Sequence, residues 1–127
     1  MNNQWIALGS VFGFLSVAMG AFGAHALSES LSEKALSVYH TAAQYQMVHS
    51  LALVAVGILV AAVPSAAQSG WTQWAGWAFT FGIVIFSGSL YALAFTDIKI
   101  LGAITPIGGL LFLAGWVCLA LYGLKAS

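Results

Sequence analysis

Residues 74–95 read WAGWAFTFGIVIFSGSLYALAF, a run without a single charged side chain. A helix needs about 20 mainly apolar residues to cross a ~30 Å hydrocarbon layer, so this stretch is long enough to span a membrane. Three more charge-free runs accompany it, at about residues 5–27, 45–63 and 101–124. Short loops join them, which favours neighbouring antiparallel helices over separate domains. The expected fold is therefore an all-α integral membrane four-helix bundle, one transmembrane domain over residues 1–127.

Composition supports the same class. Of the 127 residues 61% are hydrophobic and 5% charged, the mean hydropathy is +0.98, and three Lys face two Glu and one Asp with no Arg. A water-soluble domain carries about a quarter charged residues. This chain has too little charge to clothe a globule in water and too little positive charge to hold a phosphate backbone, which excludes nucleic acid as a partner. Cys118 stands alone in an apolar run, so no disulfide framework or thiolate cluster is expected, and it reads as a small buried hydrophobe.

Ala24-His25-Ala26 mimics a signal-peptide cleavage site. Met1 to Trp5 carries no basic side chain and the apolar run is long for a signal, so this segment is expected to be a retained span. Its residues Gly9, Gly13, Ser16, Gly20 and Gly23 recur at spacings of four and three and share one helix face. Small-residue faces let helix backbones approach closely in lipid. Whether the neighbour belongs to the same subunit or a second copy stays open, and a homo-oligomer is expected.

The second helix is expected to begin before its membrane part. Ser30 and Glu33 have capping-box spacing, and a helix from Leu31 to Val63 would be about 50 Å long at ~1.5 Å per residue. In its first turns Leu31, Ala35, Val38 and Ala42 are apolar while Glu33, Lys34, Ser37, His40 and Thr41 are polar. This is the pattern of an amphipathic extension at the interface. For the fourth helix two starts are open: Thr105 as N-cap with Pro106 at the first position and Gly108 and Gly109 for packing, or a start near Leu101 with a kink at Pro106.

Alternate threading sorts the polar residues. One side, A, receives Glu29, Glu33, Lys34, His40, Asp97 and Lys99, with His25 and His49 toward it. The other, B, receives Trp5, Trp71, Trp74 and Tyr122, with Trp77 and Trp116 in its half of the membrane, and reads as an aromatic belt. The few lysines do not decide which side is cytoplasmic.

The polar candidates cluster on helix two. His49 lies about 21 Å from the side-B boundary, within the hydrocarbon, and His40 about 35 Å away, outside it. Nine residues apart on opposite helix faces, the two cannot grip one metal ion; His25, at the side-A end of the first helix, could meet either of them, and no metal or cofactor is expected. Gln44, Tyr45, Gln46 and Ser50 surround His49, and the pairs Tyr45/His49 and Gln46/Ser50 are four apart and can touch. Each must find a hydrogen-bond partner. Such groups serve either as ligand and proton handlers or as bonds that fix helix register. Asp97 reads as a loop acid beside Lys99; folded back on His25 it would form an acid–imidazole pair. No serine nucleophile elbow, glycine-rich phosphate loop or Walker lysine is present.

Three blocks carry a resemblance: GAFGAHAL at residues 20–27, YHTAAQYQMVHSL at 39–51, and TPIGG at 105–109 followed by Gly115-Trp116. Together they resemble the small bacterial inner-membrane family of the YgdD and YwdK type, which also has a eukaryotic transmembrane relative. The resemblance implies a multi-pass protein of the bacterial inner (plasma) membrane with four helices and unassigned activity. His25, His40, Gln44, Tyr45, Gln46 and His49 match its motif blocks, and it transfers no catalytic or binding role to them. The expectation is a non-enzymatic, structural or accessory protein in contact with membrane lipid. The alternative is transport of a small solute or protons along the same residues in an oligomer, and a haem or quinone redox protein ranks last.

Overall fold

The computed structural model describes residues 3–125. Four helices in it are long and apolar enough to cross a membrane: α1 (Gln4–Leu27), α2 (Glu33–Ala62), α4 (Gly70–Thr96) and α5 (Ile100–Lys125). A short α3 (Pro64–Ala67) sits in the middle loop. No strand occurs among the described residues. Two of the spans contain one π-helical segment each, Gly23–Leu27 at the end of α1 and Ile83–Ser87 inside α4.

The helix ends follow from local chemistry. Asn3 caps α1 by accepting from the Ile6 amide, and its own amide donates to the Gly57 carbonyl at 2.8 Å, which anchors the start of α1 to the end of α2. The cap of α2 is Ser32, whose hydroxyl accepts from the Ala35 amide at 3.1 Å. This corrects the expected Ser30 capping box: the Ser30 and Leu31 amides both bond the Leu27 carbonyl, so Ser30 belongs to the turn that ends α1, and its hydroxyl donates back to the Ala26 carbonyl. Asp97 closes α4 with φ 55°, a left-handed geometry that aspartate tolerates better than most residues. Of the two open starts for the last helix, the earlier is observed: Pro106 lies inside α5, and Thr105 donates to the Leu101 carbonyl as a helix-interior residue.

The helices are antiparallel neighbours, with α1 along α2, α2 against α4, and α4 against α5. The core near the middle and side B is built from Trp5, Leu53, Val56, Ala75, Phe79 and Phe112. A smaller one toward side A joins Leu27, Tyr39 and Ala94. The outer faces of α1 and α5 remain apolar and uncovered, with Phe14 73% and Leu110 66% exposed. That inversion is what a hydrocarbon solvent permits.

Lipid supplies no hydrophobic drive between helices, so close packing must hold them. Here rings seat on glycines. A Cβ at Gly23 would meet the Tyr39 ring at 2.5 Å, one at Gly76 the Trp5 ring at 2.7 Å, one at Gly82 the Phe112 ring at 2.5 Å and one at Gly115 the Phe79 ring at 2.5 Å. The last two are reciprocal and lock α4 to α5. The predicted small-residue stripe of α1 does face α2 at Gly9, Gly13, Ser16 and Gly23, whereas Gly20 has open space around it. The aromatic belt is corrected at one position: Trp5 is 1% exposed and packs edge-on to Trp77, while Trp116 stays 44% exposed and directs only its indole N–H inward, to His49. Trp74 and Trp71 remain at the rim, Trp71 under the Lys125 ammonium at 5.2 Å.

Candidate functional site

Where α2, α4 and α5 meet, the buried His49 imidazole lies flat on Phe112, ring centres 3.6 Å apart and planes 8° from parallel. Phe79 and Trp116 close the box at 5.6 and 5.8 Å. Its Nδ1 is 2.8 Å from the Tyr45 carbonyl, and the Trp116 indole N–H donates to its Nε2 at 3.0 Å. A carbonyl can only accept and an indole N–H can only donate. The two contacts together therefore specify the neutral imidazole with its proton on Nδ1. An imidazolium would set a second donor against the indole.

One turn earlier, Gln46 spans three helices. Its amide donates to the Phe12 carbonyl of α1 at 2.9 Å and its oxygen accepts from the Tyr91 hydroxyl of α4 at 2.7 Å. Ser50 donates to the Gln46 carbonyl within the helix. Three further bonds repeat the device: Tyr39 to the Met19 carbonyl at 2.6 Å, Ser87 to the Ala42 carbonyl at 2.8 Å, and Ser89 with Thr105 at 2.6 Å. The Ser87 bond leaves from the π-helical segment of α4, where the widened turn alters the register of the following residues. Among the described residues no buried side-chain nitrogen or oxygen lacks a partner.

The expected polar cluster thus divides. His49 and Gln46 are buried and bonded across helices, and Tyr45, 43% exposed, lies parallel to His49 and tilted against Phe86 on the lipid side. Gln44, His40 and His25 are exposed. Asp97 lies in the exposed loop, 3.8 Å from Lys99 Nζ, and not with His25. Among the described residues no three of His, Cys, Asp and Glu gather in a set able to hold a metal ion. Trp116 and Tyr91 are the partners that sequence reading missed. His49 and Trp116 each lie sixteen residues into their helices, which both start at side A and so bring them to one depth, where an indole N–H away from water needs an acceptor.

Beside this box a shallow groove of about 530 Å³ opens toward lipid between Tyr45, His49, Phe86, Gly109, Phe112 and Trp116.

Comparison with known proteins gives consistent matches. The UPF0382 membrane protein of Staphylococcus haemolyticus (strain JCSC1435) is 50% identical over 121 residues, 95% of each chain. YwdK, a UPF0382 membrane protein of Bacillus subtilis (strain 168), is 44% identical over 124 residues, covering 95% of this chain and 96% of its own. The UPF0382 membrane protein of Haemophilus influenzae (strain ATCC 51907) is 44% identical over 127 residues, 100% of this chain and 98% of its own. No solved structure matches. The family model described as "Protein of unknown function (DUF423)" matches residues 19–109, which include the Gly23 to Leu27 segment, Tyr45, Gln46, His49 and Pro106. With four spans, their polar anchors and near full-length likeness to bacterial membrane proteins, the chain is a multi-pass membrane protein belonging to the DUF423 family.

Proposed function

We propose that this is a non-enzymatic structural or accessory membrane protein, acting as a homo-oligomer, whose intramembrane polar side chains fix helix register. The observation that carries this reading is the saturation of His49: both ring nitrogens are committed to internal partners of opposite character, Tyr45 and Trp116. Neither partner can relay a proton, since a backbone carbonyl has none to give and an indole N–H is a donor only. The observation that supports the oligomer is Gly20, the member of the α1 small-residue stripe with open space beside it, where the backbone of a second copy could approach closely.

The test compares two replacements of His49. Gln can donate and accept, so His49→Gln is expected to retain the oligomer and most of the stability in detergent, while His49→Leu loses about 1–2 kcal/mol by stranding the Trp116 N–H. Trp116→Phe in the His49→Leu background should add little, because the bond is already gone. Equal loss from Gln and Leu, read by thermal melting and size-exclusion chromatography, would sink the register role.

The lipid-facing groove at Tyr45 and His49 favours a second reading, transport of a small solute through a path completed by another copy. Vesicle flux that disappears in His49→Gln while the fold and oligomer persist would select it.

A further inference from the structure

At side A a second groove, of about 540 Å³, runs between the start of α2 and the end of α4. Its floor is apolar, formed by Leu31, Val38, Leu93 and Ala94, and its mouth carries Lys34 and Lys99 beside the hydroxyls of Ser30, Ser32 and Thr96. Two long helices begin at this mouth, α2 directly after Ser32 and α5 directly after Lys99. Helix starts carry partial positive charge. Ser32 occupies the Ala35 and Leu36 amides, leaving those of Glu33 and Lys34 without a partner among the described residues. The one acid in the lining is Asp97, 3.8 Å from Lys99 with the two side chains 87% and 82% exposed. Such an open pair is weak and leaves the Lys99 ammonium available.

We propose that this groove binds an anionic phospholipid. Its phosphate sits between Lys34, Lys99 and the two helix starts, and an acyl chain runs down the apolar floor past Val38 and Leu93. The lipid source, as against free phosphate, follows from that floor and from the position at the ends of membrane-spanning helices, where lipid phosphates lie.

The experiment is native mass spectrometry of the full chain released from micelles containing equal amounts of phosphatidylglycerol and phosphatidylcholine. Phosphatidylglycerol is expected to be retained preferentially at fixed stoichiometry. The double variant Lys34→Gln/Lys99→Gln should cut that preference roughly tenfold, with an unchanged melting curve showing that it remains folded. Asp97→Asn should raise the preference, because it frees Lys99. Equal retention of the two lipids by the wild type overturns the proposal, as does a folded double variant that keeps the wild-type preference. Displacement of phosphatidylglycerol by millimolar inorganic phosphate would identify free phosphate as the occupant and overturn it too.

Discussion

Gly108→Val should prevent α5 from seating on α4 and cost more than about 3 kcal/mol of stability, beyond the typical range for forced overpacking because backbone rather than a side-chain tip is in the way. A Cβ at Gly108 would overlap the backbone nitrogen and Cα of Phe86, and that backbone belongs to the π-helical segment of α4. A side-chain tip can rotate away, whereas a helix backbone can only move as a body. The shift would also pull apart the Ser89–Thr105 bond and the reciprocal seats of Phe112 on Gly82 and Phe79 on Gly115. Gly9→Val should act similarly on the α1–α2 contact, where the new Cβ would stand 2.7 Å from the Ser50 carbonyl oxygen and 2.8 Å from the Val54 nitrogen. Gly88→Ala supplies the contrast. Nothing lies within 4 Å of its Cβ position, so it should be neutral or gain up to about 1 kcal/mol from helix propensity. Melting curves in one detergent rank the three, with Gly108→Ala included in case the valine variant fails to accumulate. A Gly108→Val protein as stable as wild type would refute the packing account.

The same glycines mark how far sequence reading reaches. The four apolar helices were legible, because 20-residue charge-free runs have few alternatives in a chain with 5% charge. The α2 extension was legible from its amphipathic first turns. The exact cap was not, since Ser30 and Ser32 are both eligible by residue type, and the backbone of Ser30 is still part of the turn that ends α1. The stripe at Gly9, Gly13, Ser16 and Gly23 was visible as a face, but nothing local marks Gly20 as the member with no neighbour. Pairings between helices were the least legible part. Trp5 looks like a belt residue until the rotation of its helix is known, and rotation is set by which ring finds which glycine. His49 and Gln46 stood out because polarity at that depth is costly, while their partners Trp116 and Tyr91 are ordinary membrane residues in a sequence.

Gln46→Leu should lower stability by about 2–4 kcal/mol, since it removes two interhelical bonds and strands the Tyr91 hydroxyl inside the bundle. Tyr91→Phe alone should cost less, about 1 kcal/mol, because Gln46 keeps its bond to the Phe12 carbonyl. The instructive variant is the double one. If Gln46 serves to pin α1 and α4 onto α2, removing both polar partners leaves no orphan on the Tyr91 side, and the double variant should be no less stable than Gln46→Leu by itself. Melting of the four proteins in one detergent gives the coupling energy, expected at about 0.5–2 kcal/mol. Additive losses would mean that the Tyr91 hydroxyl draws its stabilisation from some other group. A Gln46→Leu protein with wild-type stability would mean that the buried amide is dispensable to the bundle, and the case for polar residues as register pins would pass to transport, where a side chain is kept for what moves past it.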